Sequence, residues 1–127
     1  MDVEQLNALM FQAESQKDHR DFAGLSWDEF LGEVLSPEFA IRRSAADKPL
    51  EQRDAFLDAT RHAERRARTI VPGSVRVWES DSVAAVVCSV EMEGRDEQFT
   101  NTRVFRAGGR FGWRCEWWQV TAASALV

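Results

Sequence analysis

The sequence predicts an α+β domain in which two or three amphipathic helices precede an antiparallel sheet. Two observations carry this. Apolar residues recur at helical spacing through the first half of the chain, and from Gly73 onward they alternate with polar ones. Turn signals then divide the alternating region at Ser80-Asp81, Gly94-Arg95-Asp96 and Gly108-Gly109. Helices first and hairpin-linked strands later define the class.

Residues 2–20 read as a helix, because Val3, Leu6, Met10 and Ala13 form one apolar stripe with charges on the other faces. Ser26 opens a second, short helix. Glu29 lies three residues on, so the two can form a capping box, and Trp27, Phe30, Leu31, Val34 and Leu35 supply the buried face. Ser36-Pro37 ends it, since the residue before a proline avoids helical geometry. Residues 38–43 are β-like, with Phe39 and Ile41 on one side, and 44–48 form a loop. Pro49 suits the first position of a third helix capped by Asp47, with Phe56 and Leu57 as its anchors. This helix fades before Pro72. Arg61, His62, Glu64, Arg65, Arg66 and Arg68 fall late in it, where basic side chains complement the helix dipole. Strands are expected at 74–79, 82–92, 97–106 and 112–121, and the small apolar tail from Ala122 is expected to fray.

The chain of 127 residues fits one domain spanning 1–127, and its 44% hydrophobic and 29% charged content supports a packed core rather than disorder. A net charge of −5 disfavours nucleic-acid binding. No apolar run reaches the roughly 18 residues of a membrane span. Asp2, Glu4, Glu14, Lys17, Asp18 and Arg20 are incompatible with a secretory leader, so a cytoplasmic location is expected. Cys88 and Cys115 lie in strand-like runs without metal-ligand spacing and read as reduced packing residues. No metal or cofactor is expected. With five tryptophans and no tyrosine, no mechanism can use a tyrosine acid.

Phe39-Ala40-Ile41 falls between the second and third helices. The sheet ends with Thr102-Arg103-Val104-Phe105-Arg106, a glycine turn, and Trp113-Arg114-Cys115-Glu116-Trp117-Trp118-Gln119-Val120-Thr121. This pattern resembles the nuclear transport factor 2-like superfamily, in particular its SnoaL-like branch of small bacterial domains, over nearly the whole chain. The resemblance implies a strongly curved antiparallel sheet wrapped around the helices, a cone-shaped α+β barrel with a pocket at its open end. Enzymes of the superfamily include steroid isomerases, small dehydratases and polyketide cyclases, which work by acid/base side chains projecting into the cone. Sheet-to-sheet dimers are common in it.

The last hairpin decides which residues point inward. A two-residue loop would set Arg103 opposite Arg114, and like charges directly opposite are unfavourable. A three-residue loop instead pairs Phe105 with Trp113, Arg103 with Cys115 and Asn101 with Trp117. The inner face then carries Phe99, Asn101, Arg103, Phe105, Trp113, Cys115, Trp117 and Gln119. Arg103, Asn101 and Gln119 in this aromatic surround have the composition of a ligand pocket. The structural alternative is a core Arg103 paired with Glu91 or a helix carboxylate. The outer face would carry Thr100, Thr102, Val104, Arg106, Arg114, Glu116, Trp118 and Val120, and with a tryptophan left exposed it would form a homodimer interface. The alternative there is a Trp118 packed beneath the N-terminal helix or the tail.

Three functions compete. The first is a small-molecule-binding domain whose aromatic pocket with one arginine suits a small apolar or anionic ligand. The second is an isomerase, dehydratase or cyclase using Glu91 or His62 as base, with Arg103 or Asn101 stabilising an enolate. The third is a dimeric association domain with a filled cone. His19 reads as a solvated helix-end residue. A buried carboxylate beside an open cavity would favour the enzyme.

Overall fold

A computed structural model describes residues 1–15, 21–44 and 49–123. His19, Asp47 and the last residues of the tail lie outside these segments. Helix α1, Val3–Ser15, buries the stripe of Val3, Leu6, Met10 and Ala13, together with Phe11 and, less expectedly, Asn7 and Glu14. Helix α2, Trp27–Val34, starts as its sequence requires: Ser26 and Glu29 form the reciprocal capping box. The chain leaves α2 directly into strand β1, Leu35–Arg43, longer than the expected 38–43.

The third helix departs from expectation at both ends. Glu51–Gln52 pairs with Ala40 and Ile41 as a short strand β2, so α3 runs only over Arg53–His62, and the side chain of its N-cap Gln52 does not cap the helix. The exposed backbone of the β1 edge captures the two residues that would have opened the helix. At the far end Ala63 turns extended. Arg68–Ile70 then pairs with Val90–Met92 as strand β3, so most of the basic run beyond His62 is not helical. Strands β4, Arg76–Glu79, β5, Val83–Met92, β6, Gln98–Ala107, and β7, Trp113–Ala122, follow the alternating pattern closely.

The curled sheet runs in the order β2-β1-β7-β6-β5-β3, with β4 on the other half of the β5 edge. Ser74 fills the break between β3 and β4. Its hydroxyl donates to Val71 O at 2.7 Å and accepts from Ser89 N at 3.1 Å. All pairings are antiparallel except β1 with β7, which is parallel. The helices cover one face: α1 packs on β3 and β5, α2 on β7, and α3 on β1. Cys88 and Cys115 are free and buried, on strands separated by β6.

The β6–β7 register corrects the sequence reading. The strands are joined by residues 108–112, and Phe105 lies opposite Cys115, not Trp113. Arg106 therefore faces Arg114. This like-charged pair sits on the exposed face, where Arg106 Nε donates to Glu116 Oε1 at 2.7 Å. The register then shifts: Val104 lies opposite Trp117, so Glu116 is an extra, bulged residue. A shift of one residue exchanges the faces. Beyond the bulge Trp118 and Val120 point into the cone, while Trp117 and Gln119 point outward. Trp118 is 4% exposed and lies edge-on to Phe11. The outer-face interface built on Trp118 and Val120 is thus overturned, and so is the inward placement of Trp117 and Gln119. Arg114 and Glu116 remain outside.

Candidate functional site

Where α1 leaves the sheet at the wide end of the cone, a cavity of about 710 Å³ opens. Its walls are Phe11 of α1, Ile41 of β1, Val90 and Met92 of β5, Phe99 of β6, and Trp118 and Val120 of β7. Asn101 and Glu14 supply polar groups within it, and Arg43, Arg66, Arg68, Arg95, Glu64 and Glu97 line the rest.

A buried polar network lies beneath the cavity. Arg103 is fully buried, and its Nη1 donates to Asn7 O at 3.1 Å and to Asn7 Oδ1 at 3.0 Å. Its guanidinium is held between the Phe11 ring, 3.8 Å away, and the Trp118 ring, 3.9 Å away. Nη2 lies 3.6 Å from Glu14 Oε1, and Glu14 Oε2 lies 3.7 Å from Arg68 Nε. The buried Glu14 carboxylate therefore stands between two guanidiniums without closing a short hydrogen bond to either. Arg103 Nε and Nη2 and Glu14 Oε1 have no hydrogen-bond partner among the described residues. Burial pulls the Arg103 guanidinium below its ordinary value, and the Glu14 charge opposes that shift. Trp118 Nε1 donates to Asn101 Oδ1 at 2.8 Å, which fixes the indole as the cavity floor.

The residues singled out from the sequence divide three ways. Asn101 and Phe99 line the cavity. Arg103 lies below it and Phe105 deeper in the core, while Trp113 is half-buried at the hairpin end. Trp117, Gln119 and Glu91 are on the outer face, where Glu91 Oε1 accepts from Gln98 Nε2 at 3.3 Å. His62 is exposed at the end of α3, with Nδ1 2.9 Å from Asp58 O. Neither proposed base reaches the cone. Glu14 does, and its signal was in the α1 stripe: Asn7 and Glu14 are polar residues at helical spacing from Val3 and Met10, on the face that must be buried. Among the described residues, no group of three or more His, Cys, Asp or Glu could hold a metal ion. No helix is long and apolar enough to cross a membrane.

No protein-family model matches the sequence, and a comparison with curated proteins finds none similar to it. Solved structures do match. An NTF2-like protein from Cytophaga hutchinsonii superposes with a TM-score of 0.73 at 15% identity, covering 96% of this chain and 99% of that one. A Parabacteroides distasonis protein assigned as a ketosteroid isomerase gives 0.70 at 10% identity, over 99% and 92%. The CaMKII hub of S. rosetta gives 0.75 at 16% identity, over 95% and 94%. The chain has the nuclear transport factor 2-like fold, a cone of curved sheet around three helices, and that fold is shared by proteins of different function.

Proposed function

We propose that this is a small-molecule-binding domain that takes a small, largely apolar ligand into the open end of the cone. The cavity carries the reading: about 710 Å³, walled by Phe11, Phe99, Trp118 and aliphatic side chains, with a few polar groups converging on it. An association domain with a filled cone fits less well, because the cone is open. The test is a panel of small aliphatic and aromatic compounds read by tryptophan fluorescence and amide chemical shifts. Binders are expected to shift Phe99, Asn101 and Val120 together. Val120→Trp, which fills the cavity, should weaken them at least about tenfold, or about 1.4 kcal/mol. Binding unaffected by that filling, or shifts confined to other surfaces, would remove the cone as the site.

One observation favours a second reading, an isomerase- or dehydratase-type enzyme. Glu14 is a buried carboxylate at the cavity wall, where it could exchange a proton with a bound carbonyl compound while Asn101 or Arg68 stabilises the developing oxyanion. If the same panel yields a compound that is converted as well as bound, that turnover should disappear in Glu14→Gln. Turnover that survives the change excludes Glu14 as the base.

A further inference from the structure

We infer that the ligand of this cone is an amphipathic monoanion, a carboxylate head on an apolar body, bound with its head at the mouth and held there by Arg66 and Arg95. This rests on the reading of the cone as a ligand site and adds charge, orientation and specificity residues to it.

Most of the positive charge around the cavity is already answered by the protein. Arg103, the arginine nearest the centre of the cone, is sealed beneath Phe11 and Trp118 and tied to Asn7 and Glu14. An anion entering the cavity meets aromatic faces there, not a guanidinium. Arg68 faces Glu14, and Arg43 is paired with Glu51. Among the described residues Arg66 forms an ion pair only with Glu64, at 3.7 Å and with Glu64 almost fully exposed, a loose contact of little worth in water. None of the ion pairs among the described residues involves Arg95.

The backbone holds these two arginines at one edge of the mouth. Glu93 N donates to Ala67 O at 2.9 Å, and Ala67 N donates to Glu93 Oε1 at 3.1 Å, which fastens the segment after α3 to the β5–β6 turn. Arg66 lies along that turn: a Cβ built on Gly94 would stand 3.8 Å from its Nη1. Arg95 is the next residue. Two guanidiniums on one rim repel each other across exposed space, and an anion between them relieves that repulsion.

The charge balance sets the valence of the head. The charged residues that line the cavity itself are Arg43, Arg66, Arg68 and Arg95 against Glu14, Glu64 and Glu97. One guanidinium charge is left over, in a chain whose net charge is −5. A single negative charge matches it, whereas a phosphate dianion would meet Glu64 and Glu97 without further compensation. The apolar walls lie inward of this rim, so the body of the ligand points down the cone.

The experiment uses three probes of one chain length (octanoate, octanol and octyl phosphate), titrated into the wild type, Arg66→Gln and Arg95→Gln with tryptophan fluorescence as the readout. Octanoate is expected to bind at least tenfold more tightly than octanol and no less tightly than octyl phosphate. Each substitution should weaken octanoate about three- to tenfold and leave octanol unchanged, and added salt should act in the same direction. Arg95 is exposed, so its removal does not disturb the core. Equal binding of octanoate and octanol, or octanoate binding insensitive to both substitutions, overturns the anion assignment while the cone remains a ligand site. Tighter binding of octyl phosphate overturns the single-charge head. If no probe binds, both the inference and the reading beneath it fall.

Discussion

A guanidinium sealed from water is stable only while its charge is answered, and among the described residues Arg103 is answered by a single carboxylate, Glu14, at 3.6 Å. Removing one member of such a pair leaves the other buried and uncompensated, which costs about 3–5 kcal/mol, whereas replacing both with apolar residues of similar volume is often neutral. Glu14→Gln should therefore lower the unfolding free energy by about 3–5 kcal/mol, read from the urea midpoint at unchanged slope. Glu14→Leu combined with Arg103→Met should recover most of that loss. If the double variant is as unstable as the sum of the two single changes, the residues do not act as a pair. Strand alternation puts Arg103 on the more aromatic face of β6, and that face does turn inward although the hairpin register differs from the one expected. A helix carboxylate was among the partners the sequence offered, but not which one, because nothing local in α1 says which strand Glu14 will face, and the pairing spans almost the whole chain.

Among the elements, α2 shows how far local chemistry reaches. Its capping box, Ser26 with Glu29, was readable because every group in it lies within four residues. The Ser26 hydroxyl also lies 2.8 Å from Asp28 Oδ1, and Arg61 Nε lies 3.4 Å from Asp28 Oδ2. The hydroxyl first, and then Arg61, hold the Asp28 carboxyl below its ordinary value of 3.8, although partial burial pushes the other way. A depressed folded value means that this stabilisation is present above the ordinary carboxylate range and is lost as pH falls through the folded value. Asp28→Asn should therefore leave an acid-unfolding curve less steep below about pH 4. Ser26→Ala should lower stability by about 1 kcal/mol at neutral pH and remove part of the same pH dependence. An acid limb unchanged in both variants would show that the cap does not titrate with folding. The ends of α3 were not legible, for the opposite reason. Glu51–Gln52 and Arg68–Ile70 leave the helical pattern because distant strand edges, β1 and β5, offer them backbone partners. The bulge at Glu116 has neither glycine nor proline to mark it, yet it exchanges the faces of Trp117 and Trp118.

At the scale of the whole molecule the order of the three helices and the long strands was legible from periodicity, and the cone only from the family resemblance that the terminal strand pattern carries, while the parallel pairing of β1 with β7 was not legible. That pairing and the bulge together build an outer face that the sequence alone could not compose. Directly opposed residues share a face, so the register places Trp78, Ala85, Val104, Trp117 and Ala40 in one row across β4, β5, β6, β7 and β1. Five strands span about 19 Å at roughly 4.8 Å apiece. Trp78 is 59% exposed, and the other four are half-buried. The row reads large, small, medium, large, small, and its reverse reads small, large, medium, small, large. We propose that a second copy of the chain covers it, related by a two-fold axis running along β6 through Val104. Trp78 of one copy then lies over Ala40 of the other, Trp117 over Ala85, and Val104 over itself, so that each bulky side chain meets a small one. Arg42 and Arg76 end the adjacent row at the rim, where screened like charges cost little. Light scattering at micromolar concentration should give twice the chain mass of 14.5 kDa. Trp78→Glu should weaken the dimer by at least about 2 kcal/mol, roughly thirtyfold in Kd, without unfolding an already exposed site. Ala40→Trp should do the same by placing two indoles against each other, and Trp118→Phe, inside the cone, should leave the mass unchanged. A wild type that stays monomeric, or a Trp78→Glu variant that stays fully dimeric, would falsify this pairing of the faces.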